Sequence, residues 1–217
     1  MQTMVSDCKV EDPEGIGVKL QEGFMSLDTN LKEIMNEEDR SGCTAIVAII
    51  TSTHFIVANA GDARGILMQG DNTVKPMSFD HKPNNPEETA RIQAAGGEVK
   101  NKRVDNKLPV SRALGHFTYK TSSKPAKDQK VSAFPDIEIA ERVKEQFLLL
   151  CCDGIWDVMS NDVGGTFVKQ TIEGKNLDEP ISKVTECLLN ECLEWGSYDN
   201  MSAVLVVNGE HEKSQEV

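Results

Sequence analysis

The chain has 217 residues, of which 39% are hydrophobic and 27% are charged, and its formal net charge at pH 7 is -12. This length and composition are typical of one soluble globular domain, and the acidic balance argues against broad binding to nucleic acid or to anionic membranes. No segment approaches the roughly 20 apolar residues of a membrane-spanning helix, and the N-terminus lacks a secretory-signal layout, so we expect a cytoplasmic or nuclear protein.

The six cysteines include no Cys-x-x-Cys pair, and most of them lie in apolar runs. This arrangement favours reduced core residues of an intracellular protein over disulfide bonds or a zinc site.

The first predicted element is an amphipathic helix over residues 15–38. Its apolar residues recur at alternating steps of four and three: Leu20, Phe24, Leu27, Leu31 and Ile34. This spacing places them in one stripe on the helix surface, and we expect the stripe to pack against the rest of the fold.

Strands are predicted next, because residues 43–51 and 54–60 are rich in β-branched side chains and are separated by a short polar break. They read as a hairpin, and a third strand over 63–68 follows the corner at Gly61 and Asp62. A helix then begins at Asn85, with Pro86 in its first turn and with Glu88 placed to reach back to the cap.

Four lysines lie among Ser, Pro and Ala in residues 120–130. We interpret this segment as a solvated loop. Strands over 137–143 and 147–152, helices over 161–172 and 179–195, and a last strand over 201–207 follow. The domain is predicted to span residues 1–209, and 210–217 form an acidic tail.

The last two strands place two acidic corners together. A strand followed by a helix out, a helix back and another strand returns the chain to the same end of a sheet, so the strands are predicted to be antiparallel neighbours. Asp153 and Asp199 then lie at the same rim, and Asp62 is a third carboxylate at a strand end. A cluster of oxygen ligands suits Mg²⁺ or Mn²⁺, which favour phosphoryl chemistry. The alternative is that these residues simply form turns.

Ordered motifs extend this interpretation over residues 20–208. They are SGCTA at 41–45, ANAGDAR at 58–64, DHKP at 80–83, Glu88, Arg91, Ile92, AGG at 95–97, SRALG at 111–115, CDGIWD at 152–157 and GSYDNMS at 196–202. With these motifs the chain resembles the metal-dependent protein serine/threonine phosphatases of type 2C.

The resemblance implies an α+β fold, namely a four-layer α-β-β-α sandwich of two antiparallel sheets flanked by helices. It implies hydrolysis of phosphoserine and phosphothreonine in phosphorylated protein substrates by metal-activated water. Asp153 and Asp199 are implied to ligate the catalytic Mg²⁺ or Mn²⁺, and Asp62 to serve an additional, weaker metal position. No catalytic residue is assigned beyond these ligands, and the sequence does not predict an oligomeric state.

The chain departs from the family pattern at its N-terminal side and at one histidine. Neither an R-x-x-M-E-D strand nor a D-G-H-G-G segment occurs, so we expect a domain that lacks its N-terminal strands. The alternative function is a truncated or pseudophosphatase binding module that holds substrates or partners without turnover. His116 stands where the family usually has aspartate, and we expect a surface or turn histidine there, although it is also placed to be a replacement acid.

Overall fold

The computed structural model of the chain describes residues 12–36, 38–174 and 180–208. The chain divides into two compact units, and each is described by itself. Unit 1 comprises Met1–Arg64 and Met77–Ala140, and unit 2 comprises Gly65–Pro76 and Glu141–Val217. The predicted acidic tail at 210–217 lies outside the described residues. No helix in the described ranges has the length and apolar content to cross a membrane.

The secondary structure alternates short strands with helices. In chain order the elements are α1 (Pro13–Ile34), β1 (Gly42–Cys43), β2 (Ala45–Ile50), β3 (His54–Ala60), β4 (Arg64–Met68), β5 (Val74–Pro76), α2 (Pro86–Ala94), β6 (Val99–Lys100), β7 (Arg103–Val104), β8 (Leu114–Gly115), two 3-10 turns (Phe117–Tyr119 and Ala126–Asp128), β9 (Asp136–Glu141), β10 (Gln146–Cys151), α3 (Asp153–Trp156), α4 (Asn161–Glu173), α5 (Ser182–Glu194) and β11 (Ala203–Asn208). Helices combined with antiparallel strand pairs confirm the predicted α+β class.

The described part of unit 1 contains a three-stranded sheet of order β2-β3-β9 and two two-stranded sheets, β1-β8 and β6-β7. β2 and β3 pair antiparallel from Ala45 opposite Ala60 to Ile50 opposite Phe55, which confirms the predicted hairpin. The predicted third strand does form as β4, but it pairs in a different sheet. The short corner at Gly61 and Asp62 therefore ends one sheet and leads the chain into another.

Helix α1 packs its buried face on β3. The side chain of Asp12 caps the helix by accepting a hydrogen bond of 2.9 Å from the Gly15 N–H. The buried helix residues Ile16, Leu20 and Phe24 form one apolar cluster with Ile56 and Ala58 of β3. Part of the predicted stripe is wrong, because Leu27 is 41% exposed and Ile34 is 78% exposed. The buried face continues to Asp28 instead, at a spacing of four from Phe24.

The lysine segment is only partly the solvated loop that the sequence predicted. Lys124 and Lys127 are exposed. The side chain of Lys120 is only 7% exposed, and its Nζ donates hydrogen bonds of 2.7 and 2.8 Å to the two carboxylate oxygens of Asp28. Lys130 pairs with Asp105 at 2.9 Å. Two of the lysines therefore fasten the segment to the rest of unit 1.

The sheet of unit 2 has the strand order β11-β10-β4-β5. Alternate residues of a strand point to one face, and Phe147, Leu149 and Cys151 of β10 share the face that packs on helix residues such as Val168 and Leu188. β10 and β11 pair antiparallel, as predicted, from Gln146 opposite Asn208 to Cys151 opposite Ala203. This pairing sets the geometry of the candidate site.

The cysteine prediction holds for part of the set. Cys151 and Cys192 are buried, whereas Cys43 and Cys187 are exposed. Cys8 lies outside the described residues. The thiols of the described cysteines are free.

Candidate metal centre

Asp153 begins the short helix α3 directly after β10. The turn is held from two sides, because the Asp153 carbonyl accepts from the Asp157 N–H at 2.8 Å and the Trp156 Nε1 donates to the Cys151 carbonyl at 3.1 Å. Trp156 is 7% exposed and packs in the core of unit 2. The strand end and its turn therefore place Asp153 on a rigid support.

Asp199 lies in the loop between α5 and β11. The loop leaves the helix through Gly196, whose φ of +85° favours glycine, and the Ser197 N–H caps the helix by donating 2.9 Å to the Cys192 carbonyl. Asp199 is exposed, and its Oδ1 accepts from the Asn200 N–H at 2.7 Å. Its carboxylate thus stays largely available to solvent and ions.

Hydrogen bonds beyond the last strand pair join the two acidic corners. The Cys152 N–H donates to the Ser202 carbonyl at 3.2 Å, and the Cys152 Sγ donates to the Asn200 carbonyl at 3.3 Å. The Ser197 hydroxyl donates to the Gly154 carbonyl at 2.6 Å. The structure therefore brings the segments carrying Asp153 and Asp199 to the same end of the strand pair, as the topology argument predicted.

Gly154 is required by this close approach. A Cβ at this position would lie 2.5 Å from the Asn200 carbonyl oxygen, a backbone atom that cannot swing away. Any larger side chain would push the two corners apart.

A depression of about 450 Å³ opens beside the corners. Its lining includes Asp199, Ser197 and Gly154, together with Asp157, an exposed carboxylate to which the sequence analysis gave no role. The signal that could have found Asp157 was its spacing of four residues from Asp153, which places the two on one side of a helical turn. Asp157 adds negative charge where a cation would be attracted.

The ligand atoms that this rim offers are of the kind that a hard cation binds. They are carboxylate oxygens, and Mg²⁺ keeps several waters while using one or two protein carboxylates together with substrate phosphates. Over residues 12–36, 38–174 and 180–208, no group of three or more His, Cys, Asp or Glu side chains is arranged to hold a metal. A divalent ion of this kind takes most of its coordination from water and phosphate.

Asp62 belongs to unit 1, at the end of β3. Gly61 before it has a φ of +133°, and Asp62 is 5% exposed and forms an ion pair with the Lys82 Nζ. Beside it, Arg64 binds both carboxylate oxygens of Asp80 at 2.8 Å. The predicted strand-end position of Asp62 is confirmed, and its charge is balanced by Lys82.

His81 is a structural residue of unit 1. It is 3% exposed, its Nδ1 accepts from the Gly61 N–H at 3.1 Å, and its Nε2 lies 3.0 Å from an Asp136 oxygen. Burial raises the pKa of Asp136, but the hydrogen bond with His81 and the charge of Arg112 outweigh it and lower the pKa to about 2. The imidazole therefore ties β9 to the turn that carries Asp62.

The predicted capping role of Glu88 is wrong. Asn85 occupies the cap position of α2, but its side chain makes no cap bond and donates instead to the Asp80 carbonyl at 2.8 Å. Glu88 is 3% exposed and accepts from Arg91 at 2.6 Å and from Arg112 at 2.9 and 3.0 Å. Arg112 therefore serves as an ion-pair partner of Glu88.

The pKa of Glu88 is set mainly by burial and by the neighbouring Arg91 and Arg112. Burial raises its pKa, yet the hydrogen bonds and charges of Arg91 and Arg112 prevail and lower the pKa to about 2. Ser111 also donates its hydroxyl to Glu88. Glu88 is therefore a charged anchor inside unit 1 rather than a proton donor.

Thiol chemistry beside Asp153 is disfavoured by burial. Cys151 is 2% exposed, and burial raises the pKa of its thiol above the ordinary range. A thiol that stays protonated is a poor nucleophile.

Comparison with known proteins finds similarity to protein phosphatases over most of the chain. The protein phosphatase 2C family model matches residues 4–201. The human protein phosphatase 1A is 40% identical over 200 residues, which are 89% of this chain and 51% of that protein. Protein phosphatase ppm-1.A of Caenorhabditis elegans is 42% identical over 190 residues, which are 86% of this chain and 39% of that protein.

The fold agrees with that of a solved phosphatase. The crystal structure of a phosphatase from Toxoplasma gondii superposes with a TM-score of 0.74 at 22% identity, over 88% of this chain and 74% of that one. The chain spans about half the length, or less, of the two curated relatives described above.

Proposed function

Because the chain belongs to the protein phosphatase 2C family, we propose that it hydrolyses phosphoserine and phosphothreonine in phosphorylated proteins with the help of Mg²⁺ or Mn²⁺. The observation that carries the proposal is the joining of the Asp153 and Asp199 corners at one end of the β10–β11 pair. The family implies metal dependence, and the comparisons give no support to the alternative of a pseudophosphatase binding module.

Asp153 and Asp199 are the residues that would hold the metal. When bound, a divalent ion supplies the activation of water and the neutralisation of phosphate charge that phosphoester hydrolysis requires. Asp199 contributes an exposed carboxylate with one oxygen already oriented by the Asn200 N–H. Ser197 and Cys152 hold the two corners at a fixed separation. Asp62 is proposed as an additional, weaker position, at which a cation would have to compete with Lys82.

Substrate, location and partners follow from the family and the charge. Phosphorylated protein segments are the proposed substrates, nucleic acid and membranes are not expected partners of a chain with a net charge of -12, and the cytoplasm or nucleus remains the predicted location. Fractionation of cells that express the tagged chain would test the location.

The direct test is phosphate release from a phosphothreonine peptide by the purified 217-residue chain with Mn²⁺. We expect release that EDTA stops and that Asp199→Asn reduces by more than the roughly 10–100-fold that changes outside the ligand shell cost. Asp162→Asn is the matched control, because Asp162 is an exposed carboxylate in the first turn of α4, and it should keep the wild-type rate.

Two results would contradict the proposal. One is a rate no higher than buffer from protein whose circular dichroism shows a folded chain. The other is a wild-type rate from Asp199→Asn, which would remove Asp199 from the site while leaving the reaction class standing.

A further inference from the structure

Unit 1 contains a polar cavity of about 420 Å³ that the proposed reaction does not use. We call it the His116 pocket, and its lining residues are Arg40, Asp105, Lys107, Leu108, His116, Thr118 and Tyr119. Most of these side chains carry a positive charge or a hydrogen-bond donor. The lining of the cavity is therefore rich in cationic and donor groups, although the chain as a whole has a net charge of -12.

The imidazole of His116 is held in one orientation. The backbone of His116 has a φ of 51°, a left-handed conformation that is uncommon outside glycine. Its Nδ1 donates to the Arg40 carbonyl at 2.9 Å, and its ring meets that of Tyr119 edge-on with centroids 6.5 Å apart. On another side the ring packs against Gly42, where any Cβ would collide with it.

This orientation leaves one ring nitrogen for a ligand. Because Nδ1 is engaged with a carbonyl, it carries the proton. Nε2 has no hydrogen-bond partner in the described part of the chain. An imidazolium in this position presents the Nε2 proton to an anion, and the fixed ring loses little entropy on binding it.

The charges around the ring favour an anion. Arg40 and Lys107 are exposed cations with no salt-bridge partner among the residues that the structure describes. The one acidic lining residue, Asp105, is already paired with Lys130 at 2.9 Å. Charge-assisted hydrogen bonds from arginine and lysine are the usual means by which proteins hold phosphate groups.

His116 itself distinguishes this chain from the family pattern, which has aspartate after the Leu-Gly pair. A carboxylate at that place would repel a phosphate group, whereas an imidazole carries no negative charge. The exchange therefore removes a negative charge from the pocket.

We propose that the His116 pocket binds the phosphate group of a phosphorylated segment of another protein. The proposal stands on the residues of unit 1 alone.

Binding is tested on the full chain with EDTA present, so that neither metal nor turnover contributes. The imidazole signals are followed by NMR during titration with a peptide that contains one phosphoserine, and the His116 signal is identified by its loss in His116→Asp. We expect a saturable shift of that signal with the phosphopeptide and none with the unphosphorylated peptide. His54 and His81, which lie outside the pocket, should not move.

Two variants test whether the pocket charges are responsible. Lys107→Gln, a change at an exposed residue, should weaken binding about tenfold, as expected for loss of one charge-assisted hydrogen bond. Lys100→Gln removes an exposed lysine of the neighbouring β6 strand that does not line the pocket, and it should bind as the wild type does. The proposal is overturned by an unmoved His116 signal, by equal weakening in both variants, or by a pocket that takes inorganic phosphate but not the phosphopeptide.

Discussion

The hydroxyl of Ser197 donates a 2.6 Å hydrogen bond to the carbonyl oxygen of Gly154, two residues that are far apart in the sequence. Both groups are buried. The bond fastens the loop that carries Asp199 to the turn that carries Asp153, so a side chain that need not touch a metal sets the separation of two proposed ligands.

Replacing Ser197 by alanine should therefore weaken the site and the fold together. The change leaves the buried Gly154 carbonyl without its donor, which costs about 1–3 kcal/mol of the free energy of unfolding. We expect Mn²⁺ affinity, measured by calorimetry, to fall as well. Ser52→Ala, at an exposed serine, is the control, and equal stability of the two variants would show that the Ser197 bond contributes nothing.

Gly154→Ala should disturb the same junction by crowding. The added methyl group would meet the Asn200 carbonyl oxygen at 2.5 Å, and such overpacking costs about 1–3 kcal/mol of the free energy of unfolding. Gly70→Ala is a matched control in unit 2, since its nearest neighbour would lie at an ordinary 3.6 Å. Urea unfolding of both variants measures the difference, and a Gly154→Ala protein as stable as Gly70→Ala would contradict the close approach.

Glu88 should make the fold sensitive to acid. Its pKa is about 2 in the folded chain and is ordinarily 4.5, so its ionised form stabilises the fold by about 3 kcal/mol at neutral pH. Because the folded pKa is the lower one, this stability is present above about pH 4.5 and is lost as the pH falls toward 2. We expect the stability difference between wild type and Glu88→Gln to shrink from pH 6 to pH 3 in urea unfolding. Glu87→Gln, at an exposed neighbour, should show no such change, and a pH-independent difference for Glu88→Gln would refute the depressed pKa.

The buried pair of Asp28 and Lys120 gives a prediction for a double-mutant cycle. Burial lowers the pKa of Lys120, and the hydrogen bonds with Asp28 oppose that effect. Removing one partner leaves a buried charge alone, so Asp28→Asn or Lys120→Met should each cost about 3–5 kcal/mol of the free energy of unfolding. The double variant should recover part of that loss. Lys127→Met, at an exposed lysine of the same segment, should change stability by less than about 0.5 kcal/mol, and additive single effects would argue against a coupled pair.

Topology was the part of the structure that the sequence predicted best. The apolar runs of β10 and β11, separated by two amphipathic helices, were enough to predict an antiparallel pair, and that pairing alone predicted that Asp153 and Asp199 share a rim. Periodic patterns report the type of an element and the direction in which the chain returns. The metal-ligand roles of these residues, and of Asp62, stay predictions.

The predictions that were wrong depended on contacts between residues far apart in the sequence. The spacing of Leu27 and Ile34 indicates a helix face, but the spacing does not say which part of that face the fold covers. Composition predicted a solvated lysine loop because nothing near Lys120 in the sequence reveals Asp28, which lies in α1. Glu88 matched a capping pattern, yet Arg91 and Arg112 bind its carboxylate more strongly than an N–H of the helix end.

The antiparallel pairing of β10 with β11 has a consequence for the response of the protein to metal ions. The segments that carry Asp153 and Asp199 come together only when this ladder is formed, so an ion held by both carboxylates would act as a cross-link that the unfolded chain cannot make. Such an ion stabilises the folded state by mass action. The urea midpoint of unit 2 should therefore rise with Mn²⁺ concentration even when no substrate is present.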